Sequence, residues 1–328
     1  KDVQGKQLVA LKVFNAAEAF HLGKLPGCRT LPEAQAEVLR AFKGRVRALQ
    51  REMPTESTIV QMLDCSRDAS GEIGTSPDGC CYLVMELGMF TMEQLVRDSR
   101  EIDRRPIVDE VREAARLVLT ALEGLHAANR VLAEHSPRQW MRFPAGWKLV
   151  AADALRDAYA THDLTEPGEA LYRAPEFASA VAGGRASVPL TPAMDVWSVA
   201  LMVLELVLPR PLFEQKQLDA QASAPRKRAS APHPFYAALA REHEPVVLPR
   251  EADDFSSPFA DLMRGMLERD PLTRLTASDA LIHPFFAASA PTLTDVRPTP
   301  AAPPPAPTVA WAERDLGAGV GIGDSSAA

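Results

Sequence analysis

Residues 169–177 read EALYRAPEF, a stretch specific enough to set the reading of the whole chain. Just beyond it, MDVWSVALMVLELVL (194–208) is apolar nearly all round, which predicts a buried helix. Upstream, VDEVREAARLVLTALEGLHAA (108–128) sets Val111, Ala115, Val118, Leu122 and Leu125 on one stripe, the pattern of an amphipathic helix. Nearer the start, QLVALKVF (7–14) and CYLVMEL (81–87) are short apolar runs that read as strands. Between them Val38, Phe42, Val46 and Leu49 recur at helical spacing, predicting a helix over roughly 33 to 50 and a strand starting near Ile59. The stretch 216–234 is polar and contains proline, and reads as an inserted loop. Strands first and helices afterwards, with no internal repeat, give an α+β chain.

Composition sets the bounds. The chain has 328 residues, 46% of them hydrophobic and 24% charged, enough for a substantial core. A net charge of −7 gives no reason to expect nucleic acid or an acidic membrane as partner. The four cysteines, Cys28, Cys65, Cys80 and Cys81, form no metal-ligand spacing, which suits a reduced, intracellular and cytoplasmic setting. No apolar run is long enough for a membrane span. The chain opens KDVQGK, without Met or a signal-peptide pattern, and reads as a fragment of a longer polypeptide. Seven prolines fall between 291 and 307, so residues 287–328 are expected to be an extended or disordered tail with Trp311 as its one large apolar anchor.

A strand-rich start, a helical continuation and YRAPE in this order resemble the protein-kinase fold over roughly residues 1 to 286. The resemblance implies a bilobal arrangement, with a small β lobe over 1–88 and a helical large lobe over 89–286. VALK (9–12) resembles the strand whose lysine, here Lys12, holds the ATP phosphates, with Ala10 against the adenine. YLVMEL resembles the strand into the hinge, with Met85 as gatekeeper and Glu86 and Leu87 offering backbone groups. Met141 would close the adenine site from the other side. Ala174, Pro175 and Glu176 match the A-P-E motif, Asp195 opens the central buried helix, and Arg274 stands where the family's arginine pairs with that glutamate. The glycine-rich loop should precede VALK by about 15 to 20 residues, and residue 12 is too near the start for it, so the small lobe is incomplete with an open sheet edge.

Phosphoryl transfer needs metal ligands, a phosphate-holding lysine and a carboxylate for the acceptor hydroxyl. Where the family has H-R-D-x-x-x-x-N, this chain reads LAEHSPRQ (132–139), with Leu132, Ala133, Glu134 and Gln139 as the replacements. Glu134 reads either as a surviving weak base, displaced by one methylene, or as a solvated loop carboxylate. GWKLVAADA (146–154) resembles the metal-binding strand and puts Ala151, which has no side-chain oxygen, at the aspartate. A two-residue slip would make Asp153 the ligand, with Gln139 as a second, only under an active reading. The partner of Lys12 is Arg45, a like charge, in one register and Glu37 in another that needs a longer link.

The resemblance therefore implies a pseudokinase that binds another protein as scaffold or allosteric module. The alternatives are a slow Ser/Thr kinase using Mg²⁺, and weak metal-independent ATP sensing. RKRAS (226–230) also resembles a phosphoacceptor site at Ser230.

Overall fold

The computed structural model describes residues 8–287 apart from Pro26, 53–57, Asp103, Arg105, 133–134, 152–153, 165–169, 224–233 and 242–243. The first layer is a sheet with a helix against it. Strand β1 (Val9–Phe14) is followed by α1 (Ala16–His21), α2 (Leu31–Glu52), β2 (Met62–Cys65) and β3 (Cys81–Glu86). The sheet order is β1-β3-β2, antiparallel throughout. The Asn15 side chain caps α1 by accepting from the Glu18 N–H at 3.1 Å. On α2, Val38, Phe42, Val46 and Leu49 are all buried, and Phe42 meets Phe14 of β1 edge-on at 5.4 Å. The sheet strand begins at Met62, not near Ile59. Ile59 instead bridges in parallel to Leu149, with Leu149 N–H to Thr58 O at 2.9 Å and Val60 N–H to Leu149 O at 3.0 Å.

The rest is a helical body with small ribbons laid on it. It begins with β4 (Phe90–Thr91), α3 (Met92–Glu101) and α4 (Val108–Ala127). A capping box between Thr91 and Gln94 starts α3. Asn129 takes a φ of +59° to turn the chain out of α4 into β5 (Arg130–Val131), a conformation asparagine tolerates. Then come β6 (Trp140–Phe143), β7 (Gly146–Leu149), β8 (Arg156–Asp157) and β9 (Thr161–Asp163). They pair as β4-β6-β7, β5-β8 and, with β10 (Ser187–Pro189), β9-β10. Helices α5 (Pro175–Ala182), α6 (Pro192–Leu204), α7 (Glu214–Ala222), α8 (Pro234–Ala240), α9 (Arg250–Phe255), α10 (Ser257–Met266) and α11 (Ala277–Leu281) complete the body. Every residue of α6 from Met194 to Leu204 is buried, so this helix is the axis of the core.

Three expectations change. The buried helix stops at Leu204: beyond it the chain tightens into i→i−3 turns, Leu206 N–H to Val203 O at 3.2 Å and Val207 N–H to Leu204 O at 3.0 Å, and Pro209 and Pro211 follow. Residues 216–222 are helical rather than loop: Gln, Lys, Leu and Ala favour helix, and α7 buries none of its residues. Strand β7 ends at Leu149, so Ala151 lies beyond it and strand periodicity does not govern the Ala151–Asp153 slip. Ser230, Trp311 and the tail from 288 lie outside the described residues. Among the described residues no helix is long and apolar enough to cross a membrane.

Candidate functional site

The candidate site lies where the sheet layer meets the helical body. Lys12 pairs with Leu83 and Ala10 with Met85 across β1 and β3. Directly opposed residues of an antiparallel pair point the same way, so these four share one face of the sheet with Phe14. The Lys12 Nζ stands 5.6 Å from the centroid of the Phe14 ring. Glu37 is engaged on the outer side of α2 by Arg40, at 2.5–3.2 Å. Arg45 is partly buried on the same helix.

At the end of β3 the Glu86 N–H donates to Gln61 O at 3.0 Å. Glu86 therefore has no N–H to offer a ligand, which narrows the expected hinge contact. Its carboxylate accepts from the Gln61 N–H and pairs with Lys148 Nζ of β7, both at 2.7 Å. Leu87 is exposed, and Gly88 is buried against Met141. A Cβ on Gly88 would come within 2.1 Å of the Met141 sulfur, so Met141 packs directly on the backbone that follows Glu86.

The loop 132–139 is anchored at both ends. Leu132 N–H donates to the two oxygens of Asp195 at 3.2 and 3.1 Å. His135 N–H donates to Ser198 Oγ at 3.0 Å, again on α6. Trp140 Nε1–H donates to His135 Nδ1 at 3.3 Å, so the neutral ring carries its proton on Nε2. That nitrogen faces Asp195 Oδ1 at 3.5 Å, while His126 Nε2 of α4 lies 3.1 Å from Oδ2. Burial pushes the Asp195 carboxyl up, but the His135 and His126 imidazoles more than offset this and hold it well below the usual carboxylate range. Glu134 and Asp153 lie outside the described residues.

Gln139 Oε1 accepts from Ser136 N–H at 3.0 Å, closing a capping box around the turn Pro137–Gln139. Ala151 has only its backbone carbonyl, which accepts from Ala154 N–H at 3.0 Å. Among the described residues no group of three or more His, Cys, Asp or Glu side chains could hold a metal ion.

Deeper in the body, Arg274 meets Glu176 at 2.8 and 3.0 Å. Its other N–H groups go to the carbonyls of Glu268, Ala193 and Arg269, which uses the full donor set of the guanidinium. The cation also lies 5.1 Å from the Trp197 ring. At the other end of α6, Glu205 accepts from Tyr172 Oη at 2.6 Å and from Arg100 at 3.2 Å. Burial raises its carboxyl above the ordinary value, and those two partners offset this only in part.

The sequence reading did not single out His126, His135, Trp140, Ser198, Glu205, Tyr172, Arg100 or Lys148. A signal existed for two of them: Ser198 and Glu205 interrupt the apolar run 194–208, and a polar side chain there requires a partner. The histidines carried none, because their partners are far away in sequence.

Residues 155–286 match the family model of the protein kinase domain. That stretch contains Glu176, Asp195 and Arg274 and begins after Ala151. Mitogen-activated protein kinase 10 of Oryza sativa subsp. japonica is 25% identical over 225 residues, 62% of this chain and 35% of that protein. Serine/threonine-protein kinase SSN3 of Yarrowia lipolytica is 24% identical over 247 residues, 64% of this chain and 58% of that protein. Mitogen-activated protein kinase 5 of Arabidopsis thaliana is 25% identical over 221 residues, 63% of this chain and 56% of that protein. The chain thus spans between 35% and 58% of the length of these relatives.

Proposed function

We propose that this chain is a bilobal kinase-like domain with an incomplete small lobe, which has kept the residues that hold the fold and lost those that transfer phosphate. It works as a binding, scaffold or allosteric module for another protein. One observation carries the reading: Ala151 offers no side-chain oxygen at the position the metal-binding aspartate would take. Ala10, Met85 and Met141 could still flank a purine, with Lys12 near its phosphates, so ATP bound weakly and without metal is compatible with this reading.

The test is radiolabelled ATP with the full chain and generic protein substrates. No transfer is expected, and transfer that disappears in Lys12→Met would overturn the proposal. The names of the relatives favour a second reading, a weak Ser/Thr phosphotransferase working through Glu134 and Asp153. Asp153→Asn separates the two: it abolishes magnesium-dependent ATP binding under the second reading and leaves nucleotide binding unchanged under the first. A thermal shift with ATP in excess chelator would report metal-independent binding.

A further inference from the structure

The thioethers of this chain are unevenly placed. Among the described methionines, Met92, Met194, Met202, Met263 and Met266 are buried. The others, Met62, Met85, Met89 and Met141, keep contact with solvent. All of these gather at one crossing, where the sheet layer passes into the helical body. Met62 opens β2 and stands opposite Met85, near the end of β3. Met89 lies in the link to β4 and is 58% exposed. Met141, on β6, stands opposite Thr91 of β4 on one side and Lys148 of β7 on the other.

A thiol reacts with an oxidant as its thiolate, whereas a thioether reacts as it stands. Burial raises the Cys65, Cys80 and Cys81 thiols above their ordinary values, which keeps the cysteines at the sheet protonated at neutral pH. The accessible thioethers are not equivalent. Met89 stands mostly in water. The Met141 sulfur lies against Gly88 so closely that no Cβ fits between them. Directly opposed residues share a face, so Met141 also lies beside Lys148, whose Nζ holds Glu86 at 2.7 Å. We propose that Met141 is an oxidation site through which a peroxide loosens this crossing, while exposed Met89 is oxidised beside it without structural effect. The sulfur lone pair attacks one peroxide oxygen, the O–O bond breaks and an S=O bond forms. The proton of the attacked oxygen leaves with the departing hydroxide as water, so the sulfur is oxidised and the peroxide reduced. The product is polar and chiral where a flexible apolar chain was packed, and a sulfoxide reductase returns it to the thioether. Its oxygen is a new acceptor next to Lys148 and competes with Glu86 for that ammonium. The effect does not depend on whether the chain binds nucleotide or transfers phosphate.

The test treats the full chain with hydrogen peroxide at neutral pH, locates the added oxygen by peptide mass spectrometry, and follows hydrogen exchange over residues 86–91. Met89 and Met141 should each gain an oxygen while buried Met92 stays unmodified. Exchange over 86–91 should then speed by about five-fold or more, as expected when an extra heavy atom is forced into a packed contact. Methionine sulfoxide reductase should restore the original rate. Met141→Leu, which conserves volume, should keep the untreated protection and stop responding to peroxide, whereas Met89→Leu should respond as the wild type does. If Met141→Leu is itself loosened, the reversal in the wild type decides. Met141 left unmodified while Met89 is fully oxidised, unchanged exchange once Met141 is oxidised, or a full response in Met141→Leu would overturn the proposal. So would oxidation of Met92 together with Met141, which would mean unfolding rather than a site.

Discussion

A carboxylate with no solvent contact needs polar partners, and Asp195 accepts from Leu132 N–H and lies 3.1 Å from His126 Nε2 on α4, with His135 Nε2 of the loop 3.5 Å away. Asp195→Asn turns one acceptor into a donor facing an N–H or an imidazole. Urea unfolding at neutral pH should show a loss of about 3–5 kcal/mol. The folded carboxyl sits below its unfolded value of about 3.9. Its contribution is therefore present above that pH and is lost as pH falls through the folded value. The gap between wild type and variant should accordingly narrow on acidification; a gap independent of pH would show that the charge does not matter. Glu205 has the opposite sign. Its folded value is raised, so its stabilising share is present below about 4.3 and is lost as pH rises through the folded value. Glu205→Gln keeps an acceptor for Tyr172 and removes the buried charge. Its stability relative to wild type should improve as pH rises from about 4 toward neutral, measured by urea midpoints.

At the scale of elements, the hinge-side backbone is shaped by one missing Cβ. Gly88→Ala would place a methyl 2.1 Å from the Met141 sulfur and 2.5 Å from its Cγ. Met141 then has to leave the floor it forms, an overpacking cost of about 1–3 kcal/mol that should lower the melting temperature. Gly88→Ala with Met141→Ala should recover part of that loss; no recovery would place the strain elsewhere. The elements with a strong period were legible in advance. The α2 stripe Val38, Phe42, Val46, Leu49 and the β1 and β3 runs carry their own pattern, because burial on one face imposes it. What was hidden has no local pattern. Helix α7 buries nothing and so shows no stripe, and α6 gives way after Leu204 to i→i−3 turns although the apolar run continues to Leu208. The Glu176–Arg274 pair could be read only because each partner sits inside a recognisable motif. The His126–Asp195–His135 cluster could not, since its members are brought together by packing alone.

For the molecule as a whole, the question is what makes a thin sheet layer and a large helical body behave as one. Backbone hydrogen bonds join Thr58 and Val60 to Leu149, and the Glu86–Lys148 pair crosses beside them. The pair is largely dry, with side-chain exposures of 19% and 9%, and Lys148 also lies 5.2 Å from the Phe143 ring. Lys148→Met would leave the Glu86 carboxylate with Gln61 N–H but no cation. The cost should be somewhat below the roughly 3–5 kcal/mol of a fully buried pair, because Glu86 keeps some water. More tellingly, it should uncouple the two layers, and the chain carries separate reporters for them. Trp140, Trp147 and Trp197 lie in the body, while Cys65 and Cys81 are buried thiols of the sheet. Burial also raises both thiols above their ordinary values, so they resist labelling until the sheet opens. In the wild type, tryptophan fluorescence and thiol labelling should follow one urea transition, the signature of a single cooperative unit. In Lys148→Met the thiols should become reactive at lower urea than the tryptophans respond. Coincident transitions in both proteins would mean that the backbone bonds at Leu149 suffice and that the ion pair does not join the layers.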